Sequence, residues 1–285
     1  MRMIYIKPFD PWKSKLCTCP FKYSLNIYTG CDHCCIYCYS SAYIKDFFRI
    51  RKKKNFLAIV SKDLEKLPEN SLLSLSNTSD PYPRLEKRLG LTRKFLELLL
   101  NKNIRLLIIT KSDLLLRDLD LISKLRVAVT FTITSFRLDK KLEPNAPSSA
   151  SRLKAMKVLA DHNIKVGLRL DPVIPYINEN EIEHIIESCS DFINHVVTST
   201  FKPRRDSWQR FSLAFPKEAK KLSNLYFKEG KYIGNSWYLP ENLRKALILK
   251  VKEVASRYGI PFSSCREGFP ELNTAKSCDG SWMIP

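Results

Sequence analysis

The sequence predicts an α/β protein built of βα units on a parallel sheet, open or closed into a barrel. Two observations carry this. Short apolar, β-branched runs alternate with helix-period runs between residues 24 and 200. The repeat is about 25 to 35 residues, the length of one strand, one helix and their loops. A third observation places function: a cluster of cysteines follows the first strand, and such folds gather their active residues where strands end.

In chain order, SLNIYT (24–29) is the first strand, and NFLAIVSKDLEKL (55–67) sits in an unusually long first connection. SLLSLSN (71–77) is a strand bounded by polar turn residues. LTRKFLELLLNKN (91–103) has helical periodicity, and IRLLIIT (104–110) is a buried strand. DLLLRDLDLISKL (113–125) is a helix with Ser112 as its N-cap. RVAVTFTIT (126–134) is a strand. SSASRLKAMKVLADHN (148–163) is a helix capped by Ser148 or Ser149, and IKVGLRLDPVI (164–174) is a strand. NENEIEHIIESCS (178–190) is a helix and FINHVVTST (192–200) the sixth strand. After residue 200 the alternation stops. KPRRDSWQRF reads as a loop, FPKEAKKLSNLYF and LPENLRKALILKVKEVASRYG as helices, and the tail from Ile260 to Pro285 as irregular.

The chain has 285 residues, 44% of them hydrophobic, enough for a core of barrel size. No run of about 18 apolar residues occurs, so no membrane span is expected. The start, MRMIYIKPFD, lacks a signal-peptide core. A cytoplasmic location is therefore expected, and there nine cysteines read first as metal or redox ligands. Lys and Arg number 48 against 29 Asp and Glu, a net charge of +19 that attracts polyanions. The densest basic run, KDFFRIRKKK (45–54), offers Arg49, Arg51, Lys52, Lys53 and Lys54 as phosphate contacts. Lys202, Arg204 and Arg205 form a second run. A solvated, lysine-rich surface is the plainer reading of either run.

TGCDHCCIYCYS (29–40) places Cys31, Cys34, Cys35 and Cys38 within eight residues. Disulfides so close would be strained. Zinc takes four ligands, commonly in two pairs, and iron–sulfur clusters also use short spacings. Cys17 and Cys19, in KLCTCPF, and Cys265 and Cys278, near the end, are four further thiols that meet if the tail returns beside the first strand. Zinc, a second cluster or two disulfides would suit them. The alternative is that Cys265 or Cys278 faces a substrate. His33, His162, His184 and His195 show no ligand spacing and read as surface or core residues.

Cys31-x3-Cys35-x2-Cys38, with Tyr37 before the last cysteine, resembles the signature of the radical S-adenosylmethionine (SAM) superfamily. More of the chain resembles its spore photoproduct lyase-like branch, the DNA repair photolyase type. The stretches are LNIYTGCDHCCIYCY, SDPYPRLEKRLGLTRKFLELL, IITKSDLLLRDLDLI, TFTITSF, LEPNAPSSASRLKAMKVLADHNIKVGLRLDPVIP and SCDGSW. The resemblance implies a partial (β/α)6 TIM-type barrel of the radical SAM kind over 24–200. An amino-terminal strap (1–23) precedes it, and a mainly helical or irregular extension (201–285) closes it.

The resemblance also implies a 4Fe-4S cluster on Cys31, Cys35 and Cys38, with Cys34 the odd thiol. SAM would be cleaved there to a 5′-deoxyadenosyl radical, with electrons from a reductant such as ferredoxin or flavodoxin. By position, Tyr37, Tyr39, Asn77, Thr78, Asp80, Lys111, Ser135 and Arg169 would line the SAM site, although no Gly-Gly-Glu follows the second strand. The lyase uses a further cysteine as hydrogen donor. Here Cys189, Cys265 and Cys278 are the candidates. The function expected is therefore a radical SAM enzyme, a monomer, acting on nucleic acid by lesion repair or base modification. The same chemistry on a protein or small molecule, or a zinc-stabilised nucleic-acid-binding module without catalysis, are the alternatives.

Overall fold

The structure, a computed structural model, describes residues 3–9 and 14–285. The rest of the amino-terminal strap expected over 1–23 lies outside the described residues. The centre is an eight-stranded sheet: β1 (Lys7–Pro8), β2 (Tyr23–Leu25), β3 (Leu72–Leu75), β4 (Arg105–Thr110), β5 (Val127–Thr132), β6 (Lys165–Val173), β7 (His195–Thr200) and β8 (Phe262–Ser264). Spatial order matches chain order. Every pair is parallel except β1 with β2. β1 and β8 are the two ends, so the barrel is open along one seam.

The strands form where β-branched and aliphatic residues are buried on both faces, as an inner parallel strand requires. β5 and β7 are buried at every position. Leu73, Leu75, Leu106, Ile108, Val127 and Val129 face the helices. Leu72, Leu107 and Ala128 face the other way, where Met283 and Ile284 of the carboxy-terminal segment fill the space. Gly167 makes room for this plug: a Cβ there would come within 3.1 Å of the Met283 methyl.

Caps set the helix starts. The Ser148 hydroxyl accepts from the Ser151 N–H and opens the helix Ser149–Asp161. Ser112 accepts from the Leu114 N–H, but it opens a 3₁₀ segment, Asp113–Asp118, ahead of a short α-helix, Leu119–Ile122. Asn178 bonds to the carbonyls of Thr134 and Pro172, which keeps it out of a helix, so that helix spans only Ile182–Glu187.

Three sequence readings are corrected. SLNIYT is not one strand: it splits after Leu25, because the Asn26 side chain accepts from the Thr78 and Ser79 N–H groups. Tyr28–Thr29 then pairs antiparallel with Arg51–Lys52. KPRRDSWQRF is not a loop. It opens the helix Arg205–Ala214, because Trp208, Phe211 and Phe215 make a helical apolar stripe against Phe201, Tyr226 and Phe227. The tail is not wholly irregular, since it supplies β8, a seventh parallel strand beside the six expected. No helix among the described residues is long and apolar enough to cross a membrane.

Candidate active site

The cysteine loop is fixed from both ends. Gly30 has φ +82°, and a Cβ there would collide with the Phe47 carbonyl, so only glycine fits before Cys31. The Cys31 N–H donates to that same carbonyl at 2.8 Å. Arg210 reaches in from the helix Arg205–Ala214 and donates to the carbonyls of Ile36 (3.2 Å) and Cys38 (2.8 Å). Cys34 turns the chain with φ +55°, and its sulfur accepts from Asn145 at 3.3 Å.

All four thiols line one cavity of about 710 Å³. Cys31 and Cys35 are buried and Cys38 is half-buried. Burial pushes the Cys35 thiol up to about 12 and raises Cys31 and Cys38 as well.

Tyr37 is held from behind. Its hydroxyl bonds to the Glu143 carboxylate, which also accepts from Thr134 at 2.8 Å and pairs with the fully buried Arg152. Lys111 lies with its ammonium 5.7 Å from the Tyr37 ring centre. Asp80 is braced rather than open. It accepts from the Tyr82 N–H (2.9 Å), the Thr110 hydroxyl (2.8 Å) and the Lys111 N–H (2.7 Å). Its Oδ2 is 3.3 Å from His33 Nε2. Burial opposes the Asp80 charge, yet His33 and those N–H groups hold its carboxyl below the usual range.

The rest of the wall is rich in cations. Arg169 donates to Asp171 at 3.0 Å, and Asp171 also accepts from Ser199. Lys202 lies 2.6 Å from Glu267, which pairs with Arg244 as well. Lys22 pairs with Asp279, both buried. Tyr39 and Tyr43, both exposed, stack with ring centres 6.3 Å apart at 25°, and Arg204 lies 5.5 Å from Tyr43.

Of the residues singled out in the sequence, Tyr37, Tyr39, Asn77, Thr78, Asp80, Lys111 and Arg169 border this cavity together with the cysteines. Ser135 does not. Its hydroxyl donates to Glu181 at 2.6 Å in a buried knot that also takes the Phe136 N–H. Cys189 is withdrawn as a hydrogen donor. It is fully buried and its thiol donates to the Ile185 and Ile186 carbonyls within its own turn. Cys265 and Cys278 do border the cavity, with Cys19.

The basic runs divide. Arg49, Lys52, Lys54 and Arg205 are exposed. Arg51 instead donates to the carbonyls of Lys45, Asp46 and Arg49, closing the turn whose Phe47 carbonyl receives the Cys31 N–H. Lys53, Lys202 and Arg204 are cavity residues rather than outer-surface contacts. Sequence reasoning missed His33, Glu143, Arg152, Asp171 and Glu267. The run LEPNAPSSASR held a signal for two of them, a carboxylate and a guanidinium nine positions apart in an otherwise uncharged stretch.

Three soft donors on one loop, converging on a cavity that also offers Lys111 and Arg169 to an anionic group, fit an iron–sulfur cluster with an open coordination site. The fold and this donor set define a radical SAM protein. The chain belongs to the Radical SAM superfamily, whose model matches residues 25–189. Enzymes of this superfamily use a 4Fe-4S cluster and SAM.

An uncharacterized protein of Methanocaldococcus jannaschii is 35% identical over 195 residues, covering 66% of this chain and 72% of that one. One from Acidianus two-tailed virus is 30% identical over 54% of this chain and 56% of its own length. Spore photoproduct lyase of Clostridium acetobutylicum is 25% identical over 74% of this chain and 68% of the lyase. Among solved structures, spore photoproduct lyase with bound AdoMet and dinucleoside spore photoproduct superposes with a TM-score of 0.71 at 18% identity. That match covers 92% of this chain and 78% of the lyase. A radical SAM methyltransferase from Kitasatospora setae, with tryptophan and a SAM analog, gives 0.58 at 8% identity, covering 90% and 56%.

Proposed function

We propose that the protein is a radical SAM enzyme whose substrate is a nucleic acid, either a lesion to be repaired or a base to be modified. One observation carries the reading: a single cavity joins the three thiols to a wall of cations and to the exposed Tyr39–Tyr43 stack. Stacked aromatic rings beside cations are what an unstacked base and its phosphates require. The net charge of +19 acts in the same direction.

Cys31, Cys35 and Cys38 would hold the cluster, which with SAM bound supplies a 5′-deoxyadenosyl radical. The residues of this chain then have distinct tasks. Tyr37, braced by Glu143 and Arg152, shapes the wall beside the thiols. Lys111 and Arg169 offer positive charge to a carboxylate. Asn77, Thr78 and Asp80 shape the loop that faces the cofactor. Arg204 and Lys53 meet the phosphates of the substrate at the cavity. The spore photoproduct lyase whose structure holds a dinucleoside lesion supports a nucleic-acid substrate by its likeness of fold.

The test is anaerobic reduction of the iron-loaded protein with SAM, reading 5′-deoxyadenosine with and without irradiated DNA or bulk RNA. Nucleic acid should increase the yield and carry the product modification. Cleavage that proceeds equally with and without either polymer would contradict the substrate assignment.

A further inference from the structure

Two thiols from opposite ends of the chain are in contact: the Cys19 and Cys278 sulfurs are 3.2 Å apart across 259 positions. Cys17 adds a thiol within hydrogen-bonding reach of Cys19, and Cys265 lines the same cavity as Cys19 and Cys278. The placement is built by the fold. The Cys265 N–H extends the β7–β8 ladder by donating to the Thr198 carbonyl at 2.8 Å. The Ser263 hydroxyl, in the middle of β8, holds the Cys278 carbonyl at 2.8 Å. Cys17 and Cys19 precede β2, near the other end of the sheet. The four thiols therefore lie at the open seam, where no strand pairing joins β1 to β8.

We propose that Cys17, Cys19, Cys265 and Cys278 form a second metal centre, a thiolate site for a soft cation of the zinc or iron–sulfur class, which staples the seam shut.

The separation favours a metal over a disulfide. In a tetrahedral zinc site with bonds of about 2.3 Å, neighbouring sulfurs stand about 3.8 Å apart, whereas a disulfide needs about 2.05 Å. The 3.2 Å contact is nearer the first. Among the described residues, the donors that lie within 4.8 Å of one another are Cys31, Asp32 and His33, so the four thiols of this set would close on an ion by side-chain rotation. Charge favours a metal as well. Lys22 lies beside Cys19 and Cys278 and Arg169 faces Cys265, but each is already paired with a carboxylate, Asp279 and Asp171, so a bound cation is what would balance the thiolates. Neither pair of cysteines takes part in the chemistry proposed above, and the centre stands or falls independently of it.

The experiment uses the full chain carrying Cys31→Ala, Cys35→Ala and Cys38→Ala, which removes the first set of ligands. It is purified without oxygen, loaded with zinc alone or with iron and sulfide, and analysed for all three elements. The expected result is about one zinc, or about two to four irons with matching sulfide, per chain. Adding Cys265→Ser or Cys278→Ser should abolish that metal while the far-ultraviolet circular dichroism stays the same. A metal-free triple variant under both loadings, or metal that survives both serine changes, would overturn the proposal. So would a wild-type mass two hydrogens lighter with Cys19 joined to Cys278. Should the serine variants not fold, alkylation of the metal-loaded wild type decides. All four thiols should be protected until a chelator is added, and labelling before the chelator overturns the site.

Discussion

Arg152 and Glu143 stand 2.5 Å apart as an ion pair with both side chains fully buried, and Glu143 also receives the Tyr37 hydroxyl from within the cysteine loop. The pair links the helix Ser149–Asp161 to the wall of the cavity. Breaking one side of such a pair leaves an uncompensated buried charge. Arg152→Met should therefore cost about 3–5 kcal/mol of unfolding free energy in denaturant titration. Arg152→Met with Glu143→Gln should recover part of that loss. A single variant within about 1 kcal/mol of wild type, on the scale of an exposed pair, would show that the ion pair does not carry the loop.

The cysteine loop makes a sharper claim. Cys34 turns the chain and accepts from Asn145, so Cys34→Ser should keep the iron and the charge-transfer absorption of the reconstituted protein. Alanine at Cys31, Cys35 or Cys38 should each remove the iron held by this loop, about four atoms, together with its share of the absorption. Retention in the Cys35 variant with loss in the Cys34 variant would reverse the ligand set.

Lys53 gives a pH signature. Burial, and then Lys7, pull its ammonium down from the usual 10.5 to about 8. Between those values the unfolded chain binds more protons than the folded one, so this residue makes stability rise with pH across that window. Below it, folding bears the full cost of burying the charge. Lys53→Met should raise stability at pH 7 by on the order of 2 kcal/mol and flatten the rise between pH 8 and 10.5. A destabilised variant at pH 7 would contradict this. A phosphate arriving beside Lys53 would restore its charge, so binding near pH 8 should take up protons.

On the outer surface, Arg49, Lys52, Lys54 and Arg205 are the exposed members of the two basic runs. Replacing all four with glutamine should weaken binding to DNA and RNA alike. Each lost phosphate contact should reduce the slope of log affinity against log salt by about 0.7 to 0.9. Fluorescence anisotropy across a salt series measures it, and an unchanged slope would remove these residues from the interface.

Local pattern shows in the sequence, and long-range pairing does not. Six parallel strands, the Ser148 cap and the cysteine loop could be read because each rests on neighbours within a few residues. β8 could not, since three residues of FSS carry no period and pair only with β7. The helix Arg205–Ala214 was hidden by its charges, although its aromatic stripe was visible. Ser135 lies apart from the cavity because its hydroxyl meets Glu181, 46 positions on. Which carboxylate meets which guanidinium, as in Glu143 with Arg152 or Glu267 with Arg244, is settled by packing of distant elements. The contact of Cys19 with Cys278 was anticipated only as a consequence of the tail returning to the first strand.

The central claim is that one cavity brings SAM cleavage and a nucleic acid together. Its most direct measurement is the yield of 5′-deoxyadenosine from the anaerobically reduced, iron-loaded protein with SAM, titrated with irradiated DNA and with RNA. The expected yield depends on Cys31, Cys35 and Cys38, survives Cys34→Ser, and rises on adding one of the two polymers. No 5′-deoxyadenosine from a protein holding its full iron content, with either polymer present, would contradict it.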